Sequence, residues 1–279
     1  MNGSEATNIA SDLFALWQNI FLWEFGRYLF FAGIAFLVIW HLLGPWIVNR
    51  KIRKKTPRAR QMWREAKNSA ITAFIFSVIG MAIWLGKDIG LFHFYDDIGE
   101  YGWPYFIGSL MLMIVLHDAW FYWTHRLMHL PGMMKYIHAE HHKSINPTPW
   151  AAYSFDPYEA TVHALFSPLF LLVFPMHGLA TLLWMMHMLL RNVVGHSGYE
   201  LFPRRWAVQP ILRQMTLVTH HDMHHQNGKY NFGLYFSWWD RWMGTEHPDY
   251  IKRVTGDAVM AESGQAIGGI EENAYPIHK

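Results

Sequence analysis

The stretch "YLFFAGIAFLVIWHLLGPWIV", Tyr28 to Val48, is 21 residues long with His41 its only strongly polar member. At ~1.5 Å per residue a helix of this length reaches about 31 Å, the thickness of one bilayer core. The run therefore reads as a spanning helix, and it constrains the rest of the chain to fold around a membrane. Composition agrees: 52% of residues are hydrophobic, 17% aromatic and 16% charged, too apolar for an ordinary soluble surface. Mean hydropathy is only +0.04, so a polar part of similar weight must exist beside the apolar segments. There is no cysteine, which excludes disulfides, thiolate nucleophiles, zinc ribbons and cysteine-ligated iron–sulfur clusters.

Charge supplies the topology. Glu5 and Asp12 precede the first span without a basic n-region, so the segment is expected to stay as an anchor. Arg50 to Lys67 holds nine of the chain's 23 lysines and arginines with one acid, Glu65, which by the positive-inside rule places it in the cytoplasm; a nucleic-acid patch is the weaker reading. A second span over 70–86 leads to a far-side loop with Asp88, Asp96, Asp97 and Glu100 against Lys87 alone. A third, 103–118, crosses back and carries His117, Asp118, His125 and His129 out of the bilayer. The apolar stretch 160–190 is broken by Pro168, Pro175 and Gly178 and reads as a helical hairpin that enters and leaves by one face. No repeat or linker divides the chain. The expected fold is all-α, about four spans under a histidine-rich helical cap of 119–159 and 191–247 on the cytoplasmic side, with a polar, loosely packed tail over 248–279. The expected membrane is the bacterial inner membrane or that of the endoplasmic reticulum.

Thirteen of the 18 histidines fall between His125 and His225. "HRLMH" sets His125 and His129 at i and i+4, on one helix face about 5–6 Å apart. "HAEHH" (His138, His141, His142) and "HDMHH" (His221, His224, His225) repeat an i, i+3, i+4 spacing, so each trio is expected to face one way. Neutral imidazole suits iron, zinc, copper or nickel, and eight clustered histidines suffice for two metals. Asp222, Glu140 and Asp118 are placed to orient imidazoles from behind, with a solvated or capping role as the plainer reading. His41, His93, His177, His247 and His278 read as scattered interface or loop residues. The roles of His117, His163, His187 and His220 stay open; His220 also stands four residues before His224.

The three boxes in this order resemble the fatty acid hydroxylase and sterol desaturase superfamily of integral-membrane di-metal oxygenases. "YWTHRLMH", "HHKSINPTPWAAYS", "GHSGYE" and "NFGLYFSWWDRWMGT" are similar in kind and order to that family's core, so the resemblance covers about Met111 to Glu246. It implies two iron ions, for which zinc could substitute in purified protein, and adds His196 of "GHSG" as a ninth ligand. One departure is "SFDPYE", where relatives frequently have histidine and this chain has Asp156. The implied activity is O2-dependent hydroxylation or desaturation at an unactivated C–H bond of a membrane lipid: fatty acyl chain, sterol or carotenoid.

Such chemistry consumes two electrons per turnover, and neither a dinucleotide fingerprint nor a haem domain is visible, so an external electron-donor protein is implied. Arg204, Arg205 and Arg213 offer it a basic surface, or are positive-inside charges. Nucleic acid is not an expected partner. Two alternatives come from other classes. A membrane metal transporter would set its ligands at mid-bilayer in broken helices, and a bis-histidine haem carrier needs two facing ligands rather than three boxes.

Overall fold

The computed structural model describes residues 3–262. Helix α1 spans Gly3–Ala35 and continues as a π-helical stretch, Phe36–Leu42, until Gly44 and Pro45 end it. Helix α2 (Ala59–Asp88) begins just after Pro57 and stops before Gly90, whose φ of 73° is left-handed. A two-residue strand β1 (Phe94–Tyr95) leads into α3 (Ile98–Met128), whose N-cap Asp97 accepts a hydrogen bond from Gly99 N. Gly102, at φ 77° and ψ 164°, breaks α3 just ahead of Pro104. Short helices α4 (Met134–Ile137) and α5 (Ala139–His142) follow, then a 3₁₀ turn over Pro149–Tyr153. Helices α6 (Pro157–Ala164) and α7 (Phe166–Leu171), strand β2 (Met176–His177) and helix α8 (Gly178–Gly195) come next. The chain closes with α9 (Val218–Gln226), α10 (Trp238–Trp242) and α11 (Tyr250–Glu262).

Among the described residues, three helices are long and apolar enough to cross a membrane: Asn8–Leu42, Ala59–Asp88 and Ile98–Met128. Large apolar side chains such as Trp23, Phe30, Leu37, Phe74 and Ile107 stand exposed along them, as a lipid-facing surface requires. Exposed tryptophans bracket them, Trp46 and Trp63 at one end and Trp84 and Trp103 at the other. This is a membrane protein.

The first span begins about twenty residues earlier than the sequence indicated. Glu24 and Arg27 sit at i and i+3 inside the helix and form a buried ion pair. The stretch 160–190 is divided as a hairpin. Its legs are the short helices α6 and α7 and the longer α8, and the turn between them carries β2, which pairs in parallel with β1 (Phe94 with Met176, Tyr95 with His177). The turn is therefore tied to the α2–α3 loop, while α3 and α8 both run from there toward the histidines. The hairpin thus leaves and returns at the histidine end, with Phe106, Met113, Phe166, Phe170 and Trp184 packed between its legs and α3.

The tail is better packed than expected where it is described. Tyr250 and Val254 of α11 are buried against Leu217 and Met223. The remainder of the polar tail, His278 included, lies outside the described residues.

Candidate metal centre

The end of α3, the α4–α5 turn, the end of α8 and helix α9 converge on one place, and nine imidazoles meet there. They form two groups. His125, His129, His138, His142 and His224 make one; His141, His196, His221 and His225 make the other, and within each group the ring nitrogens lie within 4.8 Å of one another. All nine sequence-derived histidines are brought together.

The trios do not each face one way, as spacing alone had predicted. In "HAEHH" the i, i+4 pair His138 and His142 joins the first group and His141 the second. In "HDMHH" the pair His221 and His225 joins the second group and His224 the first. The histidine doublets at 141–142 and 224–225 therefore straddle the two groups. His138 has φ −136°, a break between α4 and α5, so helical periodicity does not govern its direction.

Backbone carbonyls set the tautomers. His125 Nδ1 lies 2.9 Å from Phe232 O, His224 Nδ1 2.7 Å from Tyr230 O, His141 Nδ1 3.2 Å from Ser154 O and His196 Nδ1 2.8 Å from Asn192 O. A carbonyl only accepts, so each of these Nδ1 atoms carries the proton and each Nε2 is left as a lone pair. His138 Nδ1 touches Glu159 Oε1 at 2.8 Å, a contact that favours the same tautomer although its N–H is not aligned on the oxygen. The Nε2 atoms then point at one another. His125 and His138 are 3.0 Å apart, His142 is 3.2 Å from His129 and 3.0 Å from His224, and His196 is 3.0 Å from His221 and 3.3 Å from His225.

Two lone pairs facing each other at that distance, as at His125 and His138, repel unless a metal ion or a shared proton stands between them. Two nitrogens each about 2.1 Å from one metal and at right angles are about 3.0 Å apart, so the donor set fits a metal in each group. Burial keeps the rings in the neutral, metal-binding form. It is the main cause of the depression of His129 and His142 to about 3 and of His196 to about 4, with neighbouring imidazoles adding to it for the first two. His138, His141, His221, His224 and His225 are held well below the usual range for the same reason.

The carboxylates are arranged differently from the expectation. Asp222 accepts from Arg53 Nε at 2.8 Å and from Gln226 Nε2 at 2.9 Å, and touches no imidazole. Glu140 is held by Arg64, Asn68 and Lys143. Asp118 Oδ1 accepts from the backbone N–H groups of Tyr235 and Phe236. The acids that do contact histidines are Glu159, on His138, and Asp240, 3.3 Å from His220 Nε2. Asp240 also accepts from Phe232 N and Gly233 N. Asp118 and Asp240 thus brace from two sides the loop whose carbonyls orient His125 and His224. Asp156 forms a capping box with Glu159 at the start of α6. That motif is visible in "DPYE"; that its glutamate turns back toward His138 is not.

The basic segment is built into the cap. Arg53 pairs with Asp222, Arg50 donates to the carbonyls of 200–202, and Ile52 N donates to Gly198 O. Of the open histidines, His117 bonds the Tyr235 hydroxyl at 2.8 Å, His187 packs on the same ring, His220 faces Asp240, and His163 stacks on Phe121. None of the four joins either group.

A cavity of about 450 Å³ lies between α1, α2, α3, α6 and α8. At its inner end Phe121 packs on His125 at 5.0 Å and Phe155 on His141 at 5.4 Å, so each histidine group backs onto one aromatic wall of the cavity.

Comparison with known proteins agrees with this site. Residues 110–245 match the fatty acid hydroxylase family. The chain is 30% identical over 253 residues to the Delta(7)-sterol 5(6)-desaturase ERG3B of Gibberella zeae, covering 88% of this chain and 76% of that protein. The chain belongs to the fatty acid hydroxylase and sterol desaturase superfamily. Other members include the lathosterol oxidase of Rattus norvegicus, 30% identical over 64% of this chain and 62% of that one. The methylsterol monooxygenase erg25B of Aspergillus fumigatus is 29% identical over 75% and 74%. No solved structure matches. As a member of this superfamily the protein is an oxidoreductase of the lipid hydroxylase and desaturase class, and its histidine groups are suited to binding metal.

Proposed function

We propose that the nine histidines hold two iron ions and that the enzyme hydroxylates or desaturates a membrane lipid at an unactivated C–H bond, using O2 and an external reductant. The observation that carries this reading is the convergence of Nε2 atoms 3.0 Å apart directly behind Phe121 and Phe155, two aromatic residues of the cavity wall. Iron bound there supplies O2 activation and, through it, removal of hydrogen from the lipid. The chain's own part is positional. Carbonyls of Phe232, Tyr230, Ser154 and Asn192 lock four imidazoles with Nε2 inward, while Phe121 and Phe155 keep the cavity end apolar and exclude water. The cavity is lined by residues of the membrane-spanning helices α1, α2 and α3, which suits a lipid that arrives without crossing water. The sterol-oxidising activities of the relatives make a sterol the first substrate to test.

The histidine cap is read as cytoplasmic, because the basic Arg50–Lys67 segment packs into it. The exposed Arg204 and Arg205 are on that face, where an acidic electron-donor protein would dock. Cysteines introduced at Arg58 and Asn227 should label from one side and one at Asp97 from the other; Asp97 and Asn227 labelling from the same side would reverse this reading.

The activity is tested on iron-loaded protein in nanodiscs with a Δ7 sterol, O2 and a reduced ferredoxin. The expected product is lighter by two hydrogens or heavier by one oxygen and fails to form without O2 or with nicotinamide alone. Absence of product from sterol, fatty acyl and carotenoid substrates, on protein retaining its metal, would overturn the proposal.

A further inference from the structure

The cavity is apolar along most of its wall, with His117, His163 and Asn192 among its buried polar members and one buried ion pair. Glu24 and Arg27, one helical turn apart on α1, both line it. They pair with each other, and they are only 5% and 6% exposed. Arg27 reaches Glu24 through Nη2 alone; its Nε and Nη1 are buried and without a partner. Charges at this depth are costly, and donors left unbonded add to the cost, so a site that only tied α1 to its neighbours would gain little from them. That tie already exists: the neighbouring Tyr28 donates to Trp150 O at 2.9 Å, and Trp17 to Ser77 at 3.0 Å.

We propose that the Glu24–Arg27 pair is the polar anchor of the substrate cavity and takes a neutral hydroxyl group on an otherwise apolar lipid. The inference rests on the reading of this cavity as the substrate site. Glu24 already neutralises Arg27, so a carboxylate entering here would bring an uncompensated negative charge into hydrocarbon. A hydroxyl brings none. Its oxygen accepts from the free Arg27 N–H groups, and its own proton is donated to the Glu24 carboxylate, which satisfies all three partners. A ketone accepts but has nothing to donate. The pair and the wall made by Phe121 and Phe155 line the same cavity, so a hydroxyl fixed at Arg27 limits which carbon of the lipid lies against the histidines.

The test is binding, measured without O2 or reductant by competition against tritiated cholestanol on metal-loaded protein in detergent. Cholestanol, cholestanone and cholestane form the sterol arm; octadecanol, stearate and octadecane form the linear arm. Hydrogen bonds to charged groups predict that the wild type favours the alcohol over its ketone and carboxylate counterparts by about 10-fold or more, in whichever arm fits the cavity. Arg27→Met alone would strand a buried carboxylate, so the variant is Glu24→Leu/Arg27→Met, since an ion pair replaced as a whole by apolar residues usually leaves a fold intact. It should lower the alcohol-to-hydrocarbon affinity ratio by about 10-fold or more while metal content stays unchanged. The proposal is overturned if stearate or cholestanone competes as well as its alcohol in the wild type, or if the variant keeps the ratio. Oxidation of lipid with no dependence of binding on Arg27 would sink the anchor and leave the oxygenase reading standing. Arg27-dependent binding of an alcohol that is never oxidised would do the reverse.

Discussion

The two histidine groups are built from the same parts in unequal number. Each takes an i, i+4 pair from one HxxHH box and the lone i+3 histidine from the other, an arrangement close to a two-fold exchange. To this the first group adds His125 and His129 from α3, while the second adds only His196 from the end of α8. Their supports differ too. The first has a carboxyl behind it, Glu159 on His138, whereas the second rests on backbone carbonyls and leaves His225 Nδ1 without a partner. The difference teaches that the groups are unequal in redundancy: one has five nitrogens and can lose one, while the other has four and cannot.

The largest effects follow from removing a nitrogen. His141→Ala leaves the second group three ligands, and His224→Ala leaves the first group four. Both should bring activity to background, because the doublets tie the two groups together. Metal content by mass spectrometry on monodisperse protein should then separate them, with one metal per chain in His141→Ala and two in His224→Ala at saturating iron. His247→Ala, on a residue that caps its own turn through Asp249 N, should change neither quantity. Two metals in both variants with activity intact would end the metal reading of the boxes.

A smaller effect tests the carboxyl. Glu159→Gln keeps the volume at His138 but removes the charge that favours its Nδ1–H tautomer, and changes of this kind weaken metal binding ~10–100-fold. Chelator titration of the wild type should show two phases, of which only one shifts in the variant. If both phases shift together, the groups are one unit and the comparison fails.

Packing gives a third contrast. A Cβ on Gly228 would stand 2.6 Å from His129 Cε1 and 2.8 Å from its Nδ1, in the first group. On Gly195 it would be 3.8 Å from His221 Cδ2, in the second, which is ordinary contact. Gly228→Ala should therefore cost about 1–3 kcal/mol and loosen the first group's metal, while Gly195→Ala should be nearly neutral. Thermal unfolding of the metal-loaded proteins measures both, and equal losses would contradict the geometry.

These contrasts also mark what a reader of the sequence could and could not see. All nine histidines were legible, eight from their spacing and His196 from the resemblance. Their division between two groups was not: the middle histidine of each HxxHH box turns to the other group, even within the unbroken helix α9, so spacing along one helix does not decide it. The supporting carbonyls of Tyr230, Phe232 and Ser154 belong to backbone and leave no trace in residue type. Glu159 was hidden by its membership of an ordinary capping box. By hydropathy the first span starts at Tyr28, past Glu24 and Arg27, and in the structure those two lie inside the helix as one neutral pair three residues apart. The order of the helices, the return of the hairpin to the histidine end and the cap itself all followed from hydropathy and proline placement, since those depend on burial alone.

The smallest expected effect concerns Asp222, which stands between two ligands of "HDMHH" and invites the assumption that it steers one of them. In the structure it turns away, to Arg53 and Gln226, and it joins the basic segment to α9. Asp222→Asn keeps the size and one acceptor oxygen but loses the charge facing Arg53. Arg53 is 17% exposed at its side chain, so its guanidinium regains water and is not stranded. The loss is then about 1 kcal/mol of stability, at the low end for a charged hydrogen bond. Arg53→Met should cost somewhat more, because it leaves a carboxylate with 1% side-chain exposure facing Gln226 alone. Neither variant should change the metal count or the affinity of either chelator phase. A loss of metal in Asp222→Asn comparable to that in Glu159→Gln would show that Asp222 acts on the imidazoles through α9, and the two groups would then each have a carboxyl behind them.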